Sequence, residues 1–267
     1  MKFENLLVER AGAVLTVTLN RPEKLNSLSL GLVRDLDSCA EAIQRDTTLR
    51  AVVLTGAGRG FCAGADLTDP DSLPGPGQTM GQFVAARLRT HFNPVALKWT
   101  SLPVPLVVAV NGVAAGAGVS VALMGDITIA ARSASFVTMF APKLGLAPDM
   151  GATYFLPVRI GPAKARALAL TGEPIGAEQA ERIGLIADCV DDALLMPQAE
   201  QLASRLAAGP TRALIATREL INRGAAATLT EQLEQEAAAQ HHLADSSDFA
   251  EGVEAFRERR APSFHKV

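Results

Sequence analysis

The chain has 267 residues, of which 48% are hydrophobic and only 4% aromatic, and its formal net charge is −3. That length can bury a substantial core, which Ala, Val, Leu and Ile must build almost alone. The composition excludes a disordered polymer, the charge balance leaves no electrostatic footprint for nucleic acid, and no apolar run is long enough to span a membrane. Cys39, Cys62 and Cys189 show no metal-ligand spacing and read as reduced intracellular thiols. Met1-Lys2-Phe3-Glu4-Asn5 carries charge where a secretion signal needs an apolar run. A soluble, cytoplasmic protein is expected.

Val14 to Leu19 alternates Val or Leu with Thr and predicts a half-buried strand. Ser29 to Asp46 places Leu32, Val33, Leu36, Ala40 and Ile43 at helical spacing. Arg50 to Thr55, Pro105 to Val110 and Asp126 to Ala130 read as further buried strands. Strand, helix, strand argues for crossover units and a mainly parallel sheet. Pro70 to Gly81 is rich in Pro, Gly, Ser and Asp and predicts a loop. Gln82 to Trp99 reads as helix, kinked or split at Pro94. From Gly161 onward the pattern is helical nearly to the end, with a capping box at Thr228-Leu229-Thr230-Glu231. No internal repeat is visible.

Two strand ends run into small-residue turns, Gly56 to Leu67 and Asn111 to Ser120. Small residues let a ligand approach the main chain closely, and a helix opening after such a turn presents unpaired N–H groups. Side by side, two such turns can donate to one oxygen, the geometry of an oxyanion hole. Each turn alone reads first as an ordinary tight turn. Neither carries a phosphate-binding Gly-Lys-Ser/Thr ending, and neither has dinucleotide spacing.

Together these segments resemble the enoyl-CoA hydratase/isomerase (crotonase) superfamily over nearly the whole chain. The resemblance rests on Asn20-Arg21-Pro22-Glu23-Lys24-Leu25-Asn26-Ser27, Phe61-Cys62-Ala63-Gly64-Ala65-Asp66-Leu67, Asn111-Gly112-Val113-Ala114-Ala115-Gly116-Ala117-Gly118 and Gly145-Leu146-Ala147-Pro148-Asp149-Met150-Gly151, with Gly184-Leu185-Ile186 further on. It implies an α/β fold, a crotonase-like spiral of ββα units over residues 1–200. A helical region over 201–267 would serve trimerisation and capping of coenzyme A. It also implies an acyl-CoA thioester substrate, a homotrimer or dimer of trimers, and no cofactor, coenzyme A being part of the substrate. No metal, nucleic-acid or membrane partner is implied. The oxyanion donors fall on the N–H groups of Ala65 and Ala117, the latter where the family usually has Gly. Lys24, Leu25, Ala63, Asp66 and Leu67 fall on the nucleotide and pantetheine path, and Phe256 resembles an aromatic that closes the adenine pocket.

The two glutamates with which hydratases activate water would align with Ser120 and Ala141, and neither is acidic. Asp149 lies where isomerase members carry a proton-shuttling aspartate. Ser135-Phe136, Phe140 and the segment through Gly151 most resemble the ring-epoxide isomerase branch of phenylacetyl-CoA breakdown. An isomerase with Asp149 as its single acid/base is therefore expected. Enoyl-CoA hydration, and a non-catalytic acyl-CoA or RNA binder, are the alternatives. Asp149 also reads as a helix N-cap. Phe136, Met139 and Phe140 read either as acyl-pocket lining or as core, Ser120 as a space-filling residue, Tyr154 as core, and Asp66 as a structural partner of backbone amides. His91, flanking the expected pocket, reads as a surface or packing histidine, and His241, His242 and His265 show no metal-ligand pattern.

Overall fold

The computed structural model describes residues 2–70 and 73–264; two positions of the predicted loop, and His265, lie outside the described residues. β1 (Leu6–Ala11) and β2 (Val14–Leu19) form an antiparallel hairpin. α1 (Leu30–Arg45) is capped by the Ser29 hydroxyl, which accepts from the Leu32 N–H, and it buries Leu32, Val33, Leu36, Ala40 and Ile43, the predicted stripe. Trp99, fully buried, donates its indole N–H to the Leu36 carbonyl and locks α1 to the helix behind it.

β3 (Ala51–Gly56), β5 (Leu106–Val110) and β7 (Ile127–Ala131) continue the sheet in parallel, and β10 (Asp188–Val190) ends it, in the order β1-β2-β3-β5-β7-β10. Their near-continuous Val, Leu and Ala runs suit strands covered on both faces. A second sheet is made of short strands: β4 (Gly60–Cys62), β6 (Val113–Ala115), β8 (Ser135–Val137) and β9 (Ile175–Gly176), in that order. Each winding of the chain thus sends a long strand to one sheet and a short strand to the other, which is the expected spiral. The repetition is architectural, since the sequence shows no repeat. β4 and β6 are parallel neighbours, so the segments that follow them leave the sheet side by side.

α2 (Met80–Arg87) and α3 (Asn93–Thr100) are joined by a π-helical turn over Leu88–Phe92. The predicted helix is divided just before Pro94, which sits in the first turn of α3. α4 (Ala117–Leu123) is buried along its whole length. α5 (Ala152–Thr171) bends at Gly161, where φ is +73°. α6 (Ala177–Arg182) leads to β10, so strand pairing continues into the segment predicted helical. α7 (Leu195–Ala208) buries Leu195, Ala199, Ala203 and Ala207, one per turn, against β3 and β5. α8 (Thr211–Gly224), α9 (Leu229–Ala244) and α10 (Ser247–Glu258) follow as a helical region. α9 opens on the predicted capping box, Thr228 with Glu231, and buries none of its residues.

Candidate active site

Two asparagines, Asn26 buried and Asn111 half-buried, shape the turn between β3 and β4. Asn26, at φ +54°, donates from Nδ2 to the carbonyls of Ala57 and Gly60 and accepts at Oδ1 from the Arg21 N–H. Asn111 accepts from the Gly56 N–H and donates to the Gly58 carbonyl. These bonds hold β4 in place, and with it the segment that follows.

That segment meets Leu28. The Leu28 N–H donates to the Gly64 carbonyl at 2.7 Å, and the Asp66 N–H donates to the Leu28 carbonyl at 3.1 Å, a single parallel bridge around Ala65. Successive peptide groups of extended chain face opposite sides, so the Ala65 N–H points away from Leu28. It finds no acceptor among the described residues, and neither does the N–H of Ala117, the first residue of α4. The two turns are in contact. A Cβ on Gly64 would lie 2.7 Å from the Ala115 oxygen and 3.3 Å from the Ala117 nitrogen, and one on Gly118 would lie 2.0 Å from the Cys62 oxygen. Only hydrogen at these positions allows so close an approach. The arrangement leaves two unpaired amides on adjacent turns, one exposed at Ala65 and one buried at Ala117.

The residues assigned to a nucleotide path gather on this edge. Lys24 is exposed at the end of a 3₁₀ turn, and the Ala63 N–H donates to the carbonyl of Leu25, which packs on Gly60. Asp66 is buried against Arg21 at 2.9 Å and accepts from the Thr68 N–H and hydroxyl. Burial pushes its carboxyl up, but the bonds from Thr68 and Arg21 outweigh this and hold it below the ordinary value. Asp66 is the structural anchor the sequence suggested, and Leu67 beside it is exposed. Phe140 is buried next to Gly116, while Phe136 pairs with Ala114 across β8 and β6 inside the core. Phe256 is not brought to this edge. It stands 84% exposed on α10, beside a cavity of about 660 Å³ lined by residues of α8, α9 and α10 and their flanks.

Asp149 lies in the turn before α5. The helix N-cap is Gly151, not Asp149, and the Asp149 side chain makes no cap bond. The backbone turns sharply there, with Met150 at φ +48° and Gly151 at φ +88°. Asp149 Oδ1 is buried without a hydrogen-bond partner. Burial raises its carboxyl to about 6, outweighing a hydrogen bond from its own backbone that lowers it. The Asp149 carbonyl accepts from the Ala152 N–H at 3.0 Å and from the hydroxyl of Ser120 at 2.8 Å. Ser120 lies one turn along α4 from Ala117, so this bond ties the Asp149 turn to the helix that opens on the Ala117 amide. Ser120 is therefore engaged with the protein, a role that sequence reasoning missed for lack of any local signal. Ala141, in a π-helical turn over Phe140–Leu144, brings no titratable group. A carboxylate with one buried, unpartnered oxygen, tied to a helix with an open amide, suits proton transfer next to a developing negative charge.

Tyr154, expected in the core, is exposed instead, edge-on to Phe155. His91 lies in the first π-helical turn, where burial and the charges of Arg34 and Arg87 push it below the ordinary histidine value. His241 and His242 stack on each other in α9. Among the described residues there is no cluster of metal-ligand type, and no helix is long and apolar enough to cross a membrane.

The chain matches the sequence model of the Enoyl-CoA hydratase/isomerase family over residues 9–266. It is 47% identical to the 1,2-epoxyphenylacetyl-CoA isomerase of Escherichia coli (strain K12), over 98% of both chains. It is 39% identical to a probable enoyl-CoA hydratase of Rhodobacter capsulatus, over 99% of both. The crystal structure of an enoyl-CoA hydratase from Bacillus anthracis superposes with a TM-score of 0.89 at 33% identity, covering 98% of this chain and 99% of that one.

Proposed function

The chain belongs to the enoyl-CoA hydratase/isomerase family, and from that premise we propose that it is an acyl-CoA isomerase with Asp149 as its single acid/base. The thioester oxygen sits between the N–H groups of Ala65 and Ala117. These amides stabilise the negative charge that the oxygen acquires when a proton leaves the α carbon, or the γ carbon through a double bond. Asp149 takes that proton, the C–H electron pair moves into the enolate, and the protonated Asp149 returns the proton to another carbon. The outcome is a double-bond shift, or rearrangement of a ring epoxide to an oxepin. Lys24, Leu25, Ala63, Asp66 and Leu67 line the coenzyme A path, with Phe140 toward the acyl group. We propose a cytoplasmic homotrimer or dimer of trimers that needs no cofactor beyond its substrate's own coenzyme A. Exposed apolar side chains such as Val158, Ile221 and Leu233 support assembly.

The observation that carries the reading is the buried, unpartnered Oδ1 of Asp149. Beside it, the hydratase alternative has only Ser120, already bonded to the main chain, and Ala141. The deciding experiment is a product assay with 2-enoyl-, 3-enoyl- and ring-epoxide-CoA thioesters on wild type and Asp149→Asn. The wild type is expected to isomerise, with kcat/KM rising through about pH 6 as Asp149 ionises. The variant should bind substrate and lose isomerisation by about two orders of magnitude or more. Steady hydration, or undiminished turnover in the variant, would sink the reading.

A further inference from the structure

We propose that Ser120 is a positioning residue, setting where the Asp149 carboxylate stands relative to the Ala117 amide. The inference rests on the acid/base reading above and assigns a role to a side chain that does not touch substrate. Ser120 is fully buried and donates its hydroxyl to the Asp149 carbonyl at 2.8 Å. It follows Ala117 by three residues, so both lie on one face of α4. Nothing holds Oδ1 of the carboxylate, so the main chain beneath the side chain must fix its direction. That main chain passes straight into two successive left-handed residues, Met150 and Gly151. Such a path persists only where its surroundings determine it.

Early in α5, Arg159 donates to the carbonyls of Leu123 and Gly125, where α4 stops. Arg159 ties α5 to the end of α4, and Ser120 ties the turn before α5 to the middle of α4. The Asp149 carbonyl keeps its bond from the Ala152 N–H when Ser120 is changed, so the fold has little to lose and the carboxylate direction has much. A displacement of about 1 Å at a reacting group lowers rate on the order of a hundredfold.

The test follows proton exchange of a 3-enoyl-CoA thioester in D₂O, with steady-state kinetics and thermal midpoints measured on the same proteins. Ser120→Ala is expected to lower kcat by about 10- to 100-fold with KM within about twofold. Ser120→Cys fills the same space but donates weakly, and should fall with it. Adding Ser120→Ala to Asp149→Asn should change the residual exchange by less than about twofold, because no directed carboxylate remains to misplace. Full kcat in both Ser120 variants, an equal further loss in the Asp149→Asn background, or a rise in KM at unchanged kcat would each overturn the positioning role while leaving Asp149 as the base. Undiminished exchange in Asp149→Asn alone would overturn the acid/base reading, and the role of Ser120 with it.

Discussion

Replacing Asp149 by Asn should make the protein more stable at alkaline pH relative to wild type, and less so in acid. The sign follows from the direction of the shift. The carboxyl is raised from 3.8 to about 6 in the folded chain, so the unfolded state gives up its proton first. Between those values the folded state holds more protons, and stability falls as pH rises through the interval. The penalty for ionised Asp149 is absent well below 3.8 and complete above about 6. A shift of this size is worth about 3 kcal/mol at pH 8 and about 1 kcal/mol at pH 4.5. Asn cannot ionise and carries none of it. It does bury an amide, which costs about 1–3 kcal/mol if the NH₂ finds no partner, but that cost is the same at both pH values. The difference between variant and wild type should therefore move by about 2 kcal/mol in favour of Asn from pH 4.5 to pH 8, or roughly 4–8 °C in thermal midpoint for a chain of this size. Calorimetry of both proteins at fixed concentration across that range reads it directly. A difference that stays constant with pH would mean that Asp149 ionises as easily folded as unfolded, and the argument from its missing partner would fail.

Gly118→Ala should be severe, because the new Cβ would stand 2.0 Å from the Cys62 carbonyl oxygen. α4 must retreat from β4, which should cost about 1–3 kcal/mol, seen in urea unfolding, and should separate the Ala65 and Ala117 amides enough to abolish turnover. Arg21→Ala removes the ion-pair partner of Asp66, whose side chain is 5% exposed. Losing that ion pair while the Thr68 bonds stay in place should cost about 1–3 kcal/mol near pH 7. Since pairing lowers the Asp66 value, the deficit should shrink as pH falls below about 4; urea midpoints at pH 7 and pH 3.5 test this, and an equal deficit at both would refute it.

Where the sequence was legible, local chemistry set the outcome. Ser29 before an amphipathic run, and Thr228 three residues before Glu231, mark helix starts whose caps satisfy their own N–H groups. β2 and β5 follow from alternation and from an unbroken apolar run. The three- and two-residue strands β4, β6, β8 and β9 left no such mark, because pairing to a distant neighbour makes them strands. Pro94 marked where the helix divides but not the form of the division: the extra residue of a π-helical turn depends on packing, and no proline rule contains it. The Ala65 and Ala117 turns were legible as a pair only through family resemblance, since their closeness comes from β4 lying beside β6. Ser120 was illegible, because a serine inside a small-residue helix looks like filler until the carbonyl it reaches is in view. Tyr154 sat on a helix pattern that gave no clue to which face meets solvent.

The turn around Asp149 departs from what stability alone would select. A helix start of this kind ordinarily uses its aspartate as a cap, worth about 1 kcal/mol. Here the aspartate stands two residues too early, and the cap is a glycine with no side chain to offer. Met150 adopts a left-handed conformation that disfavours any side chain, at a cost of about 1–3 kcal/mol. It is nonetheless buried, as is Ala152 after it, and that packing holds the strained path in place. An aspartate at the cap position itself would be strained, since Gly151 has φ +88° and a Cβ there would lie 2.7 Å from the Phe155 ring. It would also carry the carboxylate away from the carbonyl that Ser120 grips. The three departures share one physical effect: they keep a carboxylate largely out of water with its Oδ1 unpartnered, and therefore ready to take a proton. Direction and proton affinity are thus controlled separately in this turn, the first by Ser120 through the main chain and the second by burial. A Ser120→Ala variant should accordingly lose rate while its pH–rate profile keeps its midpoint near that of wild type, and a midpoint displaced by a full pH unit would show that the two controls are one.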